Sequence, residues 1–292
     1  MKKINTLFFA FLSLTSLAQI ENGMVFHAPF NNNLLDVSTS QATIVNNNAA
    51  FGTDRNGVSN FAANFNNNGY VSVTDDVMKQ QFPVTISFWL NLNSLSNFNV
   101  LFKTDNVFSN HYGIWMNILP SGGLTLSFGG GLGTANSSNQ RYYTTNDVIT
   151  ANSWHHIVGI IRSHNDMDIY IDCIKTTGSY GGTGSTNVAY SATGEARIGG
   201  CIGNSSSPGD FYVDGKMDQF AFWNRELTPS EITYLCDLNN ALAVDEEMHA
   251  SNSKVLVKVV DMMGREIEAN SNVPCVYIYS DGTTEKRFVV NF

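Results

Sequence analysis

Asp166, Asp168, Tyr170 and Asp172 recur at every second position, and on an extended strand residues of one parity project from one face. Carboxylates on a shared face are what glycoside hydrolysis uses, at separations of about 5 to 9.5 Å. Neighbouring same-face positions lie roughly 6.6 Å apart at the backbone, so only Asp166 with Asp168 enters that range, and Asp166 falls in the turn-like stretch HND at 164–166. His155 and His156 have the chemistry of a general base or a metal ligand, but adjacent strand residues face opposite ways and cannot act as a pair. There is no Gly-x-Ser-x-Gly elbow, no His-Glu-x-x-His zinc motif and no phosphate loop, and the glycine run at 129–133 is followed by neither lysine nor helix. No EF-hand loop is present. The expected number of catalytic residues is therefore zero.

The elements that would hold any site are set by composition. The 292 residues carry 16 Lys and Arg against 25 Asp and Glu, a net charge of −9, with 14% charged and 43% hydrophobic residues. That much apolar side chain argues against disorder, and the length allows one large domain or two smaller ones. Most of the negative charge lies between residues 19 and 250, where the balance is −11. Affinity for nucleic acid or anionic lipid depends on Lys and Arg displacing counterions, so no nucleic-acid partner is expected.

The first residues have Lys2 and Lys3, an apolar run over 7–17, and Ser16-Leu17-Ala18 before Gln19. This is the order of a secretory signal with cleavage after Ala18. The run is too short for a bilayer core of about 30 Å, and no later stretch is long enough, so no transmembrane segment is expected. Cys173, Cys201, Cys236 and Cys275 allow three complete pairings, and export makes disulfides possible. Cys173 and Cys201 end strand-like segments, which favours that bridge; four separate thiols is the alternative.

Period-two alternation runs through the chain. In VTISFWL at 84–90 the residues Val84, Ile86, Phe88 and Leu90 share a face, with Trp89 the exception on the other. Residues 112–119, 124–128, 154–162, 167–171, 197–202 and 211–223 also read as strands, separated by Gly, Asn and Ser clusters. Many short strands without helices between them predict an all-β antiparallel sandwich or barrel. One short C-terminal helix is signalled by Thr228-Pro229-Ser230-Glu231, a hydroxyl cap, Pro at the first helical position and Glu reaching back, with Ile232 and Leu235 facing the sandwich. Residues 239–253 read as a solvated linker. From 254 to 292 a small β unit follows, with strands at 255–259, 276–279 and 287–290.

From Phe30 to Leu235 the chain resembles the laminin-G-like, concanavalin-A-like jelly-roll superfamily. The likeness rests on FNNNLLD at 30–36, FAANFNNNGYVSV at 61–73, VTISFWL, WHHIV at 154–158, DIYID at 168–172, RIGG at 197–200 and GKMDQFAFWNREL at 215–227. It implies a jelly-roll β-sandwich over 19–238 in which Trp89, Trp154 and Trp223 are packing residues. The Glu-x-Asp-x-x-Glu pattern of glucanases sharing that fold is missing from the sequence. The resemblance also implies a structural calcium that clamps the N-terminal segment to the last long strand through Asn31 and Asp218, with Asn33 and Asp36 nearby. Glycan recognition on such folds stacks sugars on aromatic rings, and Trp115, Tyr142, Tyr143, Tyr180, Tyr190 and Tyr212 flank the Asn- and Gly-rich loops. KVVDMMGREIE and VYIYSDGTTEKRFVV, within 254–292, are similar to the C-terminal sorting domain of type IX secretion. That similarity implies export, with the product secreted or attached to the cell surface. The expectation is thus an exported non-catalytic glycan-binding or adhesion protein. A polysaccharide hydrolase or lyase and a structural surface protein making protein contacts are the competing classes.

Overall fold

Alternation becomes architecture because each strand turns one row of side chains inward. In the computed structural model, which describes residues 19–107, 111–131, 139–184, 186–202, 211–236, 256–261, 265–267, 275–279 and 284–287, the chain divides after Cys236 into two units. The first is a sandwich of two antiparallel sheets. Sheet A runs in the order Ile174–Lys175, Asp166–Ile171, His155–Ser163, Val84–Leu92, Gly215–Trp223, Ala62–Asn64 and Ala50–Gly52, and Met24–Ala28 also pairs with Gly215–Trp223. Sheet B runs Gly178–Gly181, Gln140–Val148, Gly123–Gly130, Tyr112–Ile118, Asn99–Asn106, Glu195–Ile198, Tyr70–Val73 and Ile44–Asn47. Strands adjacent in space are often distant in sequence, as a jelly roll requires.

The inward rows meet in one core. Val84, Ile86, Phe88, Leu90 and Leu92 of sheet A face Ile114, Met116, Ile118, Leu124, Leu126 and Phe128 of sheet B. Phe88, Phe102 and Phe220 bridge the layers, with ring centroids 5.4 to 6.0 Å apart. Each such buried ring removes 150–250 Å² from water, so this cluster carries a large share of the stability.

The reading of residues 197–202 as one strand is corrected. The chain breaks at Gly199, whose φ is +94° and where a Cβ would lie 2.4 Å from the Phe65 ring. Glu195–Ile198 therefore stays in sheet B, while Gly200–Cys201 pairs with Phe211–Tyr212 in a separate ribbon. The strand expected over 211–223 divides likewise, its longer part being Gly215–Trp223. The helix is present at 229–236 with its capping box formed: Thr228 N donates to Glu231 Oε2 at 2.7 Å and Glu231 N to Thr228 Oγ1 at 3.3 Å. Ile232 is buried and Leu235 is partly so, both against sheet A.

The expected Cys173–Cys201 bridge is also corrected. Cys173 pairs with Cys236 across a Cα–Cα distance of 6.3 Å. Cys173 sits in the turn after Asp166–Ile171 of sheet A, and the helix brings Cys236 to that sheet's outer side. Cys201 instead lies on the ribbon, buried with Val100 and Trp115.

The second unit contains a four-stranded sheet in the order Glu266–Ile267, Leu256–Asp261, Cys275–Tyr279 and Thr284–Arg287. Val259 and Tyr277 are buried, with Ile267 packed on them. The strand expected at 287–290 begins earlier, at Thr284; residues 288–290, the signal at 1–18 and all of 239–253 lie outside the described residues.

Candidate ligand-binding face

The outward rows of sheet B are polar and aromatic. Register aligns Tyr142 with Ser127, Ser127 with Trp115, Trp115 with Lys103, Lys103 with Arg197 and Arg197 with Ser72. Parity puts this row on the face away from the core, because Leu126, Ile114 and Phe128 point inward. From the Tyr142 strand to the Arg197 strand are four inter-strand steps, roughly 19 Å. A parallel row of Thr144, Thr125 and Asn117 runs beside it, with Thr144 and Thr125 hydroxyls 3.0 Å apart.

Charge on the row is positive at its middle. The Lys103 ammonium lies 5.5 Å over the Trp115 ring, the other ring neighbour being His111 at 5.2 Å. The Arg197 guanidinium lies 4.3 Å over Tyr70, which stacks on Tyr212 at 6.0 Å, while Arg197 Nε donates to Glu195 Oε1 at 2.9 Å. Burial lowers the Lys103 pKa, with Cys201 and Asp105 opposing. Trp115 and Lys103 are only 7% and 8% exposed.

The six aromatic candidates separate. Trp115 and Tyr142 stand on the outer row, and Tyr212 joins its Arg197 end. Tyr143 turns into the core, the opposite face from Tyr142. Tyr190 packs on the core and donates its hydroxyl to the Gln80 carbonyl at 2.6 Å. Tyr180 is half-exposed at the sheet edge, accepting the Met167 amide at 2.7 Å with Arg141 at 5.0 Å over its ring. Lys103, Arg197 and Ser127 were not foreseen; the signal available was register across five strands, which spacing within one strand does not contain.

The carboxylate candidates are engaged elsewhere. Arg162 Nη1 bonds Asp166 at 3.0 Å and Asp168 at 2.8 Å, Lys175 adds a contact to Asp168 at 2.8 Å, and Arg162 Nη2 holds Glu226 at 2.7 Å. The Arg162 guanidinium thus sits between the two acids, ion-paired to both. His155 Nδ1 contacts Asp172 at 2.8 Å and its Nε2 contacts Thr150 at 3.0 Å. His156 points to the other side, between Ser87 at 2.8 Å and Cys236 Sγ at 3.0 Å, and burial lowers its pKa to about 4. His156, Cys173 and Cys236 are the one group of three potential metal ligands among the described residues. The two sulfurs are joined, and a metal needs thiolates, so the trio is a clasp.

The residues named for calcium make hydrogen bonds and an ion pair within the chain. Asp36 accepts the amides of His27, Ser38 and Ala42 at 3.0, 2.9 and 2.8 Å and the Ser40 hydroxyl. Burial opposes its charge, yet these bonds hold the carboxyl below its usual range. Asn33 Oδ1 accepts the Leu35 amide at 3.2 Å and its Nδ2 donates to the Asn31 carbonyl at 2.9 Å. Asp218 is ion-paired with Arg55.

Fold and outer face together define a jelly-roll of the lectin and glucanase class. The chain belongs to the concanavalin A-like lectin/glucanases superfamily, whose family model matches residues 65–233. No curated protein matches the sequence. Among solved structures it is similar to domain 4 of AbnA, a GH43 extracellular arabinanase of Geobacillus stearothermophilus in complex with arabinotriose, at 19% identity and TM-score 0.52, covering 73% of this chain and 98% of that one. The botulinum neurotoxin serotype C1 binding domain is 14% identical with TM-score 0.52, covering 90% of this chain and 64% of that one. The binding domain of Paraclostridial Mosquitocidal Protein 1 is 15% identical with TM-score 0.51, covering 93% and 74%. The chain thus spans about two-thirds of the neurotoxin domain's length. At these identities the likeness establishes the fold. No helix among the described residues is long and apolar enough to cross a membrane.

Proposed function

We propose that this chain is an exported, non-catalytic binding protein that holds a glycan on the outer face of sheet B, and that its C-terminal unit is a type IX sorting handle. The observation carrying this is the cross-strand row from Tyr142 to Ser72, which lines up rings, hydroxyls and cations without a pair of carboxylates. Hydroxyl and amide groups match sugar hydroxyls as donors and acceptors, and rings offer apolar faces. Asn106 adds a buried Nδ2 without a partner among the described residues, while its Oδ1 accepts the Ile202 amide at 3.2 Å. An unmet buried donor is costly, and a ligand hydroxyl would satisfy it. The structural neighbours agree in kind, since one is a carbohydrate-bound domain and two are named binding domains. The handle reading rests on the sequence of residues 254–292.

The test is a polysaccharide and glycan array probed with the mature chain, together with a reducing-sugar release assay. Binding that Tyr142→Ala and Ser127→Ala weaken, without sugar release, is the expected result. Turnover would make the chain an enzyme, and no binding to any glycan would leave protein contacts as its role. Processing of residues 254–292 in an export-competent host, compared with a host lacking type IX export, tests the handle.

A further inference from the structure

A charge pair is buried under the outer side of sheet A: Arg55 and Asp218, with side chains 8% and 1% exposed. Its placement is specific. Asp218 belongs to the last long strand, Gly215–Trp223, opposite Trp89 in the register. Arg55 comes from the loop after Ala50–Gly52, and its guanidinium lies 5.2 Å over the Trp89 ring. Asp54 shapes that loop by accepting the amides of Asn56 at 2.9 Å and Val58 at 2.7 Å. The same loop ends at Asn60, whose carbonyl accepts the Asn32 amide at 2.8 Å. The loop therefore ties the segment after Phe30 to the last long strand, and Arg55 is its charged anchor.

That connection is the one the sequence resemblance assigns to calcium. We propose that the Arg55 guanidinium takes the place of a divalent cation in this chain, clamping the N-terminal segment to Asp218 so that the clamp needs no metal. A guanidinium is weakly hydrated and stacks on aromatic rings, so it tolerates a buried seat over Trp89 that a hydrated calcium ion would resist. Asp218 Oδ1 is buried without a hydrogen-bond partner among the described residues, an acceptor that a multidentate cation would have used. Asp218 is 1% exposed and ion-paired with Arg55, so the chain supplies its own cation at this carboxylate. The inference is independent of the glycan reading, which concerns the other sheet.

The test is thermal melting of the full chain in excess chelator and in excess calcium. The wild-type midpoint should be the same in both. Arg55→Ala should lower it by about 10 °C, since an uncompensated buried charge remains. Calcium should then raise the midpoint of Arg55→Ala, and adding Asp218→Asn should abolish that rise. Should Arg55→Ala fail to fold, Arg55→Gln serves with the same expectations. A wild-type midpoint that falls on chelation would overturn the proposal, as would an Arg55 variant whose stability is indifferent to calcium.

Discussion

The outer faces of the two sheets begin from the same alternation and end as different surfaces. On sheet A, Val158, Ile160, Tyr170, Ala221 and Trp223 are sealed by Ile20, Leu227 and Ile232. Trp223 Nε1 donates to the Ile20 carbonyl at 2.7 Å, the Thr85 hydroxyl binds Arg225 and Leu227 backbone, and the disulfide fixes the helix. On sheet B the corresponding rows hold Ser, Thr, Asn, Lys and Arg. The apolar row of sheet A is covered by Ile20, Leu227 and Ile232; on sheet B the ribbon covers Val100 and Trp115 through Cys201 and Phe211, and the neighbouring row of Lys103, Ser127 and Ser72 is buried but polar, so it keeps groups suited to a ligand. The lesson is that the outward residues, which do little for the core, decide which sheet is scaffold and which is the candidate site.

Five substitutions or changes of condition would break or sharpen that division. Trp223→Ala, a fully buried ring on the sealed face, should cost about 3–5 kcal/mol, read by chemical denaturation, while glycan affinity per folded molecule stays unchanged. Loss of the Cys173–Cys236 bond, whose ends are 63 positions apart in sequence, should cost about 4 kcal/mol in the chain-entropy account; reduction with and without Cys173→Ser/Cys236→Ser checks it by melting. His156 supplies a pH signature. Its folded pKa of about 4 lies below the ordinary 6.5, so the unfolded chain binds the extra proton between these values. Stability is then full above pH 6.5 and falls as pH drops towards 4, by about 3 kcal/mol, and His156→Gln should flatten that slope. Thr228→Ala should cost about 1 kcal/mol through loss of the helix cap, measurable by urea midpoint. Tyr142→Ala, on the polar face, should change stability by less than about 0.5 kcal/mol yet weaken glycan binding about tenfold. Equal stability losses at Tyr142 and Trp223 would erase the distinction between the faces.

Much of the scaffold was legible beforehand. The inward row of 84–92 and the strands at 112–118 and 155–163 follow from period two, and the helix follows from its capping box, because both are local patterns. The edge strands Ile44–Asn47 and Gly178–Gly181 were not visible: their sequences IVNN and GSYG have too few apolar residues to show alternation. The aromatic set was half legible. Nothing in adjacent tyrosines says which of Tyr142 and Tyr143 turns inward until a neighbouring strand fixes the phase.

What the chain's order of residues determined alone is the all-β class and the capped helix, since each depends on spacing within a few residues. The tertiary structure decided the rest: Cys236 rather than Cys201 as the partner of Cys173, Lys103 and Arg197 beside Trp115, and Arg55 seated on Asp218. Cys173 and Cys236 are 63 positions apart, Lys103 and Trp115 12, and Arg55 and Asp218 163, and only the crossing of strands in a closed sandwich brings such side chains within a few ångströms.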